Sequence, residues 1–502
     1  MRRSSGVLRL VVGAAMAAAS TAAAQGVRGA VPSAVPGAAP SAALAARVDS
    51  AFAPFAAPGS PGCALTVVRD GRTIYEQGYG LANLEYGVPI TPATVFYADS
   101  VSKQFTVAAI LLLAADGKLR LTDDVRTYIP ELPDYGRPIT LDHLIHHTSG
   151  VRDYLSLFDM AGRPTDDAYT DADVYDVLAR QRALNFPPGE RYAYSNSGYW
   201  LLGQVVKRVS GKSLRAFTDE RIFAPLGMTS THFHDDHTEV VPGRAYAYAS
   251  DTRGAGDRYR IAMPNFDLVG AGGLLTTVRD LARWDRNFYD GTVGGRTLLA
   301  GQLAHGVLAG GDTLPYAFGL QIGRYRGLRT VAHTGSYAGY RAEITRFPDV
   351  RFSTITLCNL ASAAPEARAL RVADIFLAAE FREPAATTSA AAAAPPARSR
   401  ATPPALAAER LPEYAGTYAS EELLGATYMV AARDGRLWVT RRAAPPQPLA
   451  PTDTADVFLL GGGTTARFTR DGARAVDGFT LAVGRAAGLK FVRVGRGTRG
   501  EG

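Results

Sequence analysis

In the run Asp99-Ser100-Val101-Ser102-Lys103-Gln104-Phe105-Thr106 a serine precedes a lysine by one helical turn, so both side chains share a face. A serine hydroxyl is a poor nucleophile until a base removes its proton. An ammonium cannot be that base, but a lysine whose amine is desolvated, or crowded by other positive charge, can, because its pKa falls. The nearly all-apolar run from Gln104 to Asp116, ended by Gly117, reads as a helix buried on all sides. Ser100 at its head receives the partial positive charge of the helix N-terminus and backbone N–H groups able to hold an oxyanion. This is the chain's one Ser-x-x-Lys, but so short a motif also arises by chance and needs support from elsewhere.

Two other segments give that support. Tyr192-Ala193-Tyr194-Ser195-Asn196-Ser197-Gly198-Tyr199 reads as a polar turn before a helix with Trp200, Leu201, Leu202, Val205 and Val206. Tyr194 and Asn196, two apart on a loop, can point into one cleft. A tyrosine near a lysine is expected to ionise more readily and to share proton transfer. Asn196 can both donate to and accept from a substrate amide. Taken alone, the segment reads equally well as core tyrosine plus helix cap. The third segment, Val331-Ala332-His333-Thr334-Gly335-Ser336-Tyr337-Ala338-Gly339, reads as a strand leading into a Gly-rich turn, where glycine lets a ligand approach the backbone. A rival cluster, Thr231-His232-Phe233-His234-Asp235-Asp236-His237, carries the donors of a metal site. Short polar loops of this kind are usually solvated surface, so no metal is assigned. His146 and His147 are read as bracing their loop.

The elements that position these residues fall into a simple order. Ala64 to Val68, Asp70-Gly71 and Thr73 to Tyr75 form a hairpin signal. Helical patterns fill about 120 to 310, and strands return from Phe318 to Leu360, before a helix over Glu366 to Glu380. The pattern predicts a sheet made from both ends of a domain over 46–382, with a helical subdomain inserted between. Residues 383–410 are an Ala/Pro-rich linker. Residues 411–497, short strands separated by turns such as Asp434-Gly435 and Asp471-Gly472, predict a small all-β domain. Arg2, Arg3 and Arg9, the apolar Leu10–Ala19 and the small residues Thr21–Ala24 read as a signal peptide over 1–24, followed by a flexible lead-in over 25–45. The expected product is periplasmic or secreted, and is not an integral membrane protein after cleavage. The net charge of +7 falls to +4 without the three leader arginines, and has no basic block of the kind that binds nucleic acid. Cys63 and Cys358, both in strand-like segments, are read as either a cross-strand disulfide or two buried thiols.

Taken in order, the three segments resemble the Ser-x-x-Lys, Tyr-x-Asn and Lys/His-x-Gly motifs of the serine β-lactamase and penicillin-binding-protein family. The branches it resembles are class C β-lactamases and their relatives, which include family VIII esterases, D-aminopeptidases and DD-carboxypeptidases. Leu144 to Gly150, Leu226-Gly227-Met228 and Gly272 to Thr277 are similar too, and Tyr414-Ala415-Gly416-Thr417-Tyr418 resembles the start of a lipocalin-like C-terminal module. The resemblance implies a mixed α/β fold: a β-lactamase/transpeptidase-like antiparallel sheet flanked by helices, plus a small barrel. It implies that Ser100 forms an acyl-enzyme on an ester, a D-amino-acid peptide or a β-lactam, with Lys103 and Tyr194 moving protons. It also implies that Asn196, His333, Thr334, Gly335 and Ser336 hold the substrate, with the N–H groups of Ser100 and Ser336 as the oxyanion hole. No cofactor or metal is implied. The partner is a small-molecule or short-peptide substrate, peptidoglycan fragments included. His333 stands where many β-lactamases have a lysine, which favours the esterase and D-aminopeptidase branches because neutral imidazole offers no permanent cation. The alternative is a non-catalytic protein that binds peptidoglycan fragments with the same fold.

Overall fold

The computed structural model describes residues 41–164, 166–251, 253, 258–384, 407–442 and 444–494. The expected signal peptide, most of the lead-in and most of the linker lie outside the described residues. The lead-in stops short of residue 45, because the Ser41 hydroxyl accepts from Leu44 N–H and caps a helix over Ala42–Ala51. The linker likewise gives way before 410, to a helical turn at Ala408–Arg410 that continues into Leu411–Tyr414 with a proline in its first turn.

An antiparallel sheet of six strands runs in the spatial order Gln321–Tyr325, Leu328–Tyr337, Tyr340–Phe347, Phe352–Cys358, Cys63–Arg69, Arg72–Tyr79. Asp70 and Gly71 both take positive φ, 52° and 71°, as a two-residue hairpin turn demands. The first strand of the domain pairs with the last of the sheet, Cys63 lies directly opposite Cys358, and the two are joined as a disulfide. The sheet thus comes from both ends of the domain, with the helical region between them. The Val331–Gly339 segment departs from expectation: it stays in the strand through Tyr337, and only Ala338-Gly339 turn. The neighbouring strand Tyr340–Phe347 pairs with it residue by residue, which keeps it extended.

The nucleophile segment is anchored on two sides. Phe96–Tyr97 pairs with Leu274–Thr276, which in turn pairs with His232–Phe233. That small sheet sets Ala98 to Ser100 beside the Gly270–Gly273 loop. The helix Lys103–Ala115 follows, with its apolar residues buried on nearly every face, and packs against the helix Asn196–Ser210.

The C-terminal domain is a closed up-and-down barrel of eight strands among the described residues, from Gly416–Ser420 to Ala486–Val494, whose ends meet where Thr417 faces Val494. Tyr414, Tyr418, Phe458, Phe468, Phe479 and Phe491 fill its interior, and the Phe479 and Phe491 rings stack at 4.7 Å. A barrel of this size is wide enough to be filled by side chains, and aromatic rings do so here. It docks on the helical region through Glu422. One carboxylate oxygen of Glu422 accepts from Arg152 at 2.7 Å and from Arg182 N–H at 3.0 Å, the other from Lys490 N–H at 3.2 Å. Burial pushes this carboxyl up, but the Arg182 N–H and the Arg152 guanidinium outweigh it and hold it below the usual glutamate value. Gln181 accepts from Arg152 and donates to the Glu422 carbonyl, and Tyr428 donates to the Met160 carbonyl.

Both side chains of the Arg152–Glu422 pair are buried. Removing one partner from such a pair strands the other charge, at a cost of about 3–5 kcal/mol. Glu422→Ala is therefore expected to lower the urea midpoint markedly, followed by tryptophan fluorescence. An unchanged midpoint would show that this contact does not hold the barrel in place.

Candidate active site

Ser100 sits in a 3₁₀ turn, Asp99–Ser102, that feeds the helix beginning at Lys103. The Lys103 side chain is fully buried and its Nζ lies 3.0 Å from Ser100 Oγ, 3.1 Å from Asn196 Oδ1 and 2.6 Å from the Ala271 carbonyl oxygen. These three partners decide what the amine can do. As an ammonium, Lys103 donates to all three. As a neutral amine it has two N–H bonds and one lone pair. The Ala271 and Asn196 oxygens only accept, so they take the two N–H bonds. The lone pair is left facing Ser100 Oγ, whose hydroxyl can turn to donate. Burial, with a smaller push from Arg485, brings Lys103 down to about 7 against the opposing pull of Asp99 and Asp153. Near neutral pH a large share of the amine is therefore in the form that can take the serine proton.

Tyr194 flanks this pair. Lys103 Nζ stands 4.8 Å from the centre of its ring. The sequence argument expects the lysine to ease ionisation of this phenol. The structure corrects that: burial pushes Tyr194 well above the ordinary tyrosine value, and a hydrogen bond with the Ser100 side chain only partly opposes it. With Lys103 brought down to about 7, only part of it is an ammonium near neutral pH, so it has less positive charge to lend. Tyr194 is thus a protonated phenol, and Lys103 is the group of the pair able to accept a proton near neutral pH.

Asn196 is not on a loop but opens the helix Asn196–Ser210, with Ser195 as its cap residue. Its N–H donates to Asp153 Oδ2 at 2.7 Å, and the other oxygen of Asp153 caps the helix Tyr154–Met160 through Leu155 and Ser156 N–H. His147, at φ 58°, accepts from Ser195 N–H through Nδ1 and packs its ring 4.2 Å from that of Tyr194. It braces the tyrosine–asparagine segment, a contact that reaches beyond the loop that the sequence reading has it brace.

His333 is buried on its strand. The Thr334 carbonyl can only accept, so the His333 Nδ1, 2.6 Å away, carries the proton. Nε2 then accepts from the Tyr316 hydroxyl at 3.2 Å. Burial and the nearby Lys103 push this histidine down to about 3, and it is neutral across the physiological range. Thr334, Ser336 and His333 all line the cleft, together with Tyr97, Asp99, Ser100, Tyr194, Asn196 and Arg485; its volume is about 360 Å³. Gly335 lies against the nucleophile segment: a Cβ there would sit 2.2 Å from the Ala98 carbonyl oxygen, so any side chain would drive strand and nucleophile apart.

Asp99 was not singled out by the sequence reading. It takes φ 43°, and its Oδ2 accepts from Ser100 Oγ at 3.0 Å and from Ser336 N–H at 3.1 Å. A carboxylate oxygen shared between the nucleophile and a strand N–H marks the place that a substrate oxyanion would take. Gly272 makes room for it, since a Cβ there would come within 2.8 Å of Asp99 Oδ1. Asp153 and Tyr316 were also missed. Asp153 carries a helix-cap signal in sequence, whereas nothing local marks Tyr316. The histidine cluster is brought together in part: His232, His234 and Glu239 are neighbours, but Arg215 grips both oxygens of Glu239 at 2.6 and 2.9 Å. That carboxylate already balances a guanidinium.

The Beta-lactamase family model matches residues 48–379. The chain belongs to the beta-lactamase family. Among its relatives, a D-aminopeptidase of Gluconobacter oxydans (strain 621H) is 32% identical over 328 residues, covering 65% of this chain and 61% of that protein. A D-aminopeptidase of Brucella anthropi is 31% identical over 309 residues, covering 61% and 57%. The chain thus spans about three fifths of the length of these curated relatives. In fold it is similar to the octameric penicillin-binding protein homologue from Pyrococcus abyssi, with a TM-score of 0.58 and 23% identity over 90% of this chain and 99% of that one. It is also similar to the D-amino acid amidase from Ochrobactrum anthropi SV3, with a TM-score of 0.56 and 22% identity over 67% of this chain and 99% of that one. The Ser-x-x-Lys, Tyr-x-Asn and His-x-Gly segments of this beta-lactamase family member converge on one cleft.

The neutral fraction of Lys103 rises as pH climbs through about 7. Acylation of Ser100 is expected to be slow near about pH 5 and to level off by about pH 9, with a single rising limb. His333 is already neutral over that range, so His333→Gln should leave the limb where it is. The pH profile of kcat/KM for p-nitrophenyl acetate measures this. A limb that moves in the variant would assign the titration to the imidazole.

Proposed function

We propose that this protein is a serine hydrolase that works through a Ser100 acyl-enzyme on amide, peptide or ester bonds of D-amino-acid derivatives. The observation that carries the reading is the buried Lys103 amine 3.0 Å from Ser100 Oγ, with its two N–H bonds committed to oxygens that only accept. A binding protein has no use for an amine prepared in this way. The D-aminopeptidase relatives support the substrate class, and so does the neutral His333.

In this reading Ser100 Oγ attacks the carbonyl carbon as its proton passes to Lys103 Nζ. The carbonyl oxygen becomes an oxyanion held by the Ser100 and Ser336 N–H groups, and Asp99 Oδ2 gives up its place on Ser336. The C–N or C–O bond then breaks, and the leaving group takes a proton relayed from Lys103 through the Tyr194 hydroxyl. Water then attacks the acyl carbon and gives a proton to Lys103 through Tyr194; the acyl C–Oγ bond breaks, Lys103 returns that proton to Ser100 Oγ, and the acid leaves. Asn196 holds the substrate amide and keeps Lys103 in place. We place the protein outside the cytoplasm, in the periplasm or secreted. The Cys63–Cys358 disulfide is the kind of bond that persists in oxidising compartments.

Wild type is expected to be labelled by a fluorophosphonate and to turn over p-nitrophenyl acetate, and Ser100→Ala to do neither. Labelling that persists in Ser100→Ala would end this reading. Tyr194→Phe is expected to lower kcat by roughly 10²- to 10⁴-fold, the usual share of a positioned proton donor, while the acylation limb set by Lys103 stays near its wild-type pH. Steady-state kinetics across pH separates the two roles.

A further inference from the structure

The barrel reaches into the cleft. Its last two strands, Val476–Val483 and Ala486–Val494, are joined by the two-residue turn Gly484-Arg485. The Arg485 guanidinium lines the cleft and stands 4.8 Å from the centre of the Tyr194 ring. The turn is fixed from below: the Arg485 carbonyl accepts from Asp153 N–H at 3.2 Å and from the Asn185 side chain at 2.9 Å, and Asn185 accepts in turn from Ala487 N–H at 2.8 Å. The backbone is held on both sides of the arginine, so its head is presented at a set place beside the reacting groups.

Among the described residues no carboxylate lies within hydrogen-bond distance of the guanidinium. The nearest ion-pair partner among the described residues is Asp153 at 3.9 Å. Both Asp153 oxygens are already taken by the N–H groups of Leu155, Ser156 and Asn196. The other charged residue of the cleft lining is Asp99, whose Oδ2 is engaged by Ser100 and Ser336. His333 contributes no charge. Arg485 is thus the cleft's available cation, with a planar fork of donors that suits a carboxylate.

We propose that Arg485 of the barrel binds a carboxylate of the substrate, so that the enzyme selects D-amino-acid derivatives bearing a free carboxylate beside the scissile bond. The inference rests on the serine hydrolase reading above and names the substrate class within it. His333 on the cleft strand is neutral, and the cation comes from the second domain instead.

Two matched pairs test it at either end of the scissile bond. N-succinyl-D-alanine p-nitroanilide is compared with the N-butyryl compound, and N-acetyl-D-alanyl-D-alanine with its C-terminal amide. In the full-length protein the charged member of at least one pair is expected to show a kcat/KM about 10- to 100-fold higher, the range of a charge-assisted hydrogen-bonded contact. In Arg485→Gln that ratio is expected to fall towards one, and in Arg485→Glu to invert. Equal rates within both pairs, or a preference that survives in Arg485→Gln, overturns the proposal. Turnover of p-nitrophenyl acetate with no member of either pair hydrolysed also overturns it, yet leaves the serine chemistry standing. If Ser100-dependent hydrolysis of p-nitrophenyl acetate is itself missing, the reading of the site falls as well.

Discussion

The removal of one amine from water governs this active site. A lysine in solvent is an ammonium, useless as a base at neutral pH. Lys103 is able to serve as a base because the helix it heads is apolar on nearly every face and its side chain is fully buried. Burial alone would also leave its N–H groups unsatisfied, which is expensive. The Ala271 carbonyl and Asn196 oxygen remove that penalty without restoring the charge. Much of the surrounding architecture follows from holding those two oxygens in place. The Gly270–Gly273 loop brings one, and the Asp153 anchor on Asn196 N–H brings the other. Gly335 and Gly319 let the strand Leu328–Tyr337 and the loop ahead of Gln321–Tyr325 close down upon the nucleophile segment, since a Cβ at Gly319 would lie 2.8 Å from the Lys103 carbonyl carbon.

Much of this was legible in the residues. The Ser100–Lys103 spacing and the apolar run behind it specify a buried helix head, and Asp70-Gly71 specifies a hairpin, because both depend on local periodicity and turn chemistry. The closing of the sheet from both ends of the domain followed from where strand patterns began and resumed. What could not be read was whatever depends on contact between distant segments. The upward push on Tyr194 comes from burial among rings such as those of His147 and Tyr316, neither of which is its neighbour in sequence, while the barrel's Arg485 pulls the other way. Asp99 escaped notice because its side-chain role depends on Ser336, more than two hundred residues on. The Gly-rich stretch at 335 looked like a turn because glycine usually marks one. Here it marks a strand pressed against another backbone.

The barrel changes how the cleft is assembled. Had it been joined only by its linker, the two domains would act separately. Instead, the buried Arg152–Glu422 pair and the Tyr428–Met160 contact set it on the helical region. A turn that in isolation would be ordinary surface therefore becomes a wall of the site. The interior of the barrel is filled by rings and has no chemical part in this arrangement. Its contribution is shape: eight strands closed upon themselves form a stiff mount for a single hairpin tip.

The sulfur link between Cys63 and Cys358 has a topological effect as well. It ties the opening strand of the sheet to its partner 295 residues later. Ser100, Lys103, Tyr194, Asn196 and His333 all lie within the covalent ring so formed. A protease that cuts any loop of the helical insert opens that ring but does not divide the molecule. Both fragments stay joined at the sheet, where the strand bearing His333 is already paired. A nicked chain with this bond intact would keep its two halves within reach of reassembly, whereas a reduced one would depend on sheet pairing and packing alone.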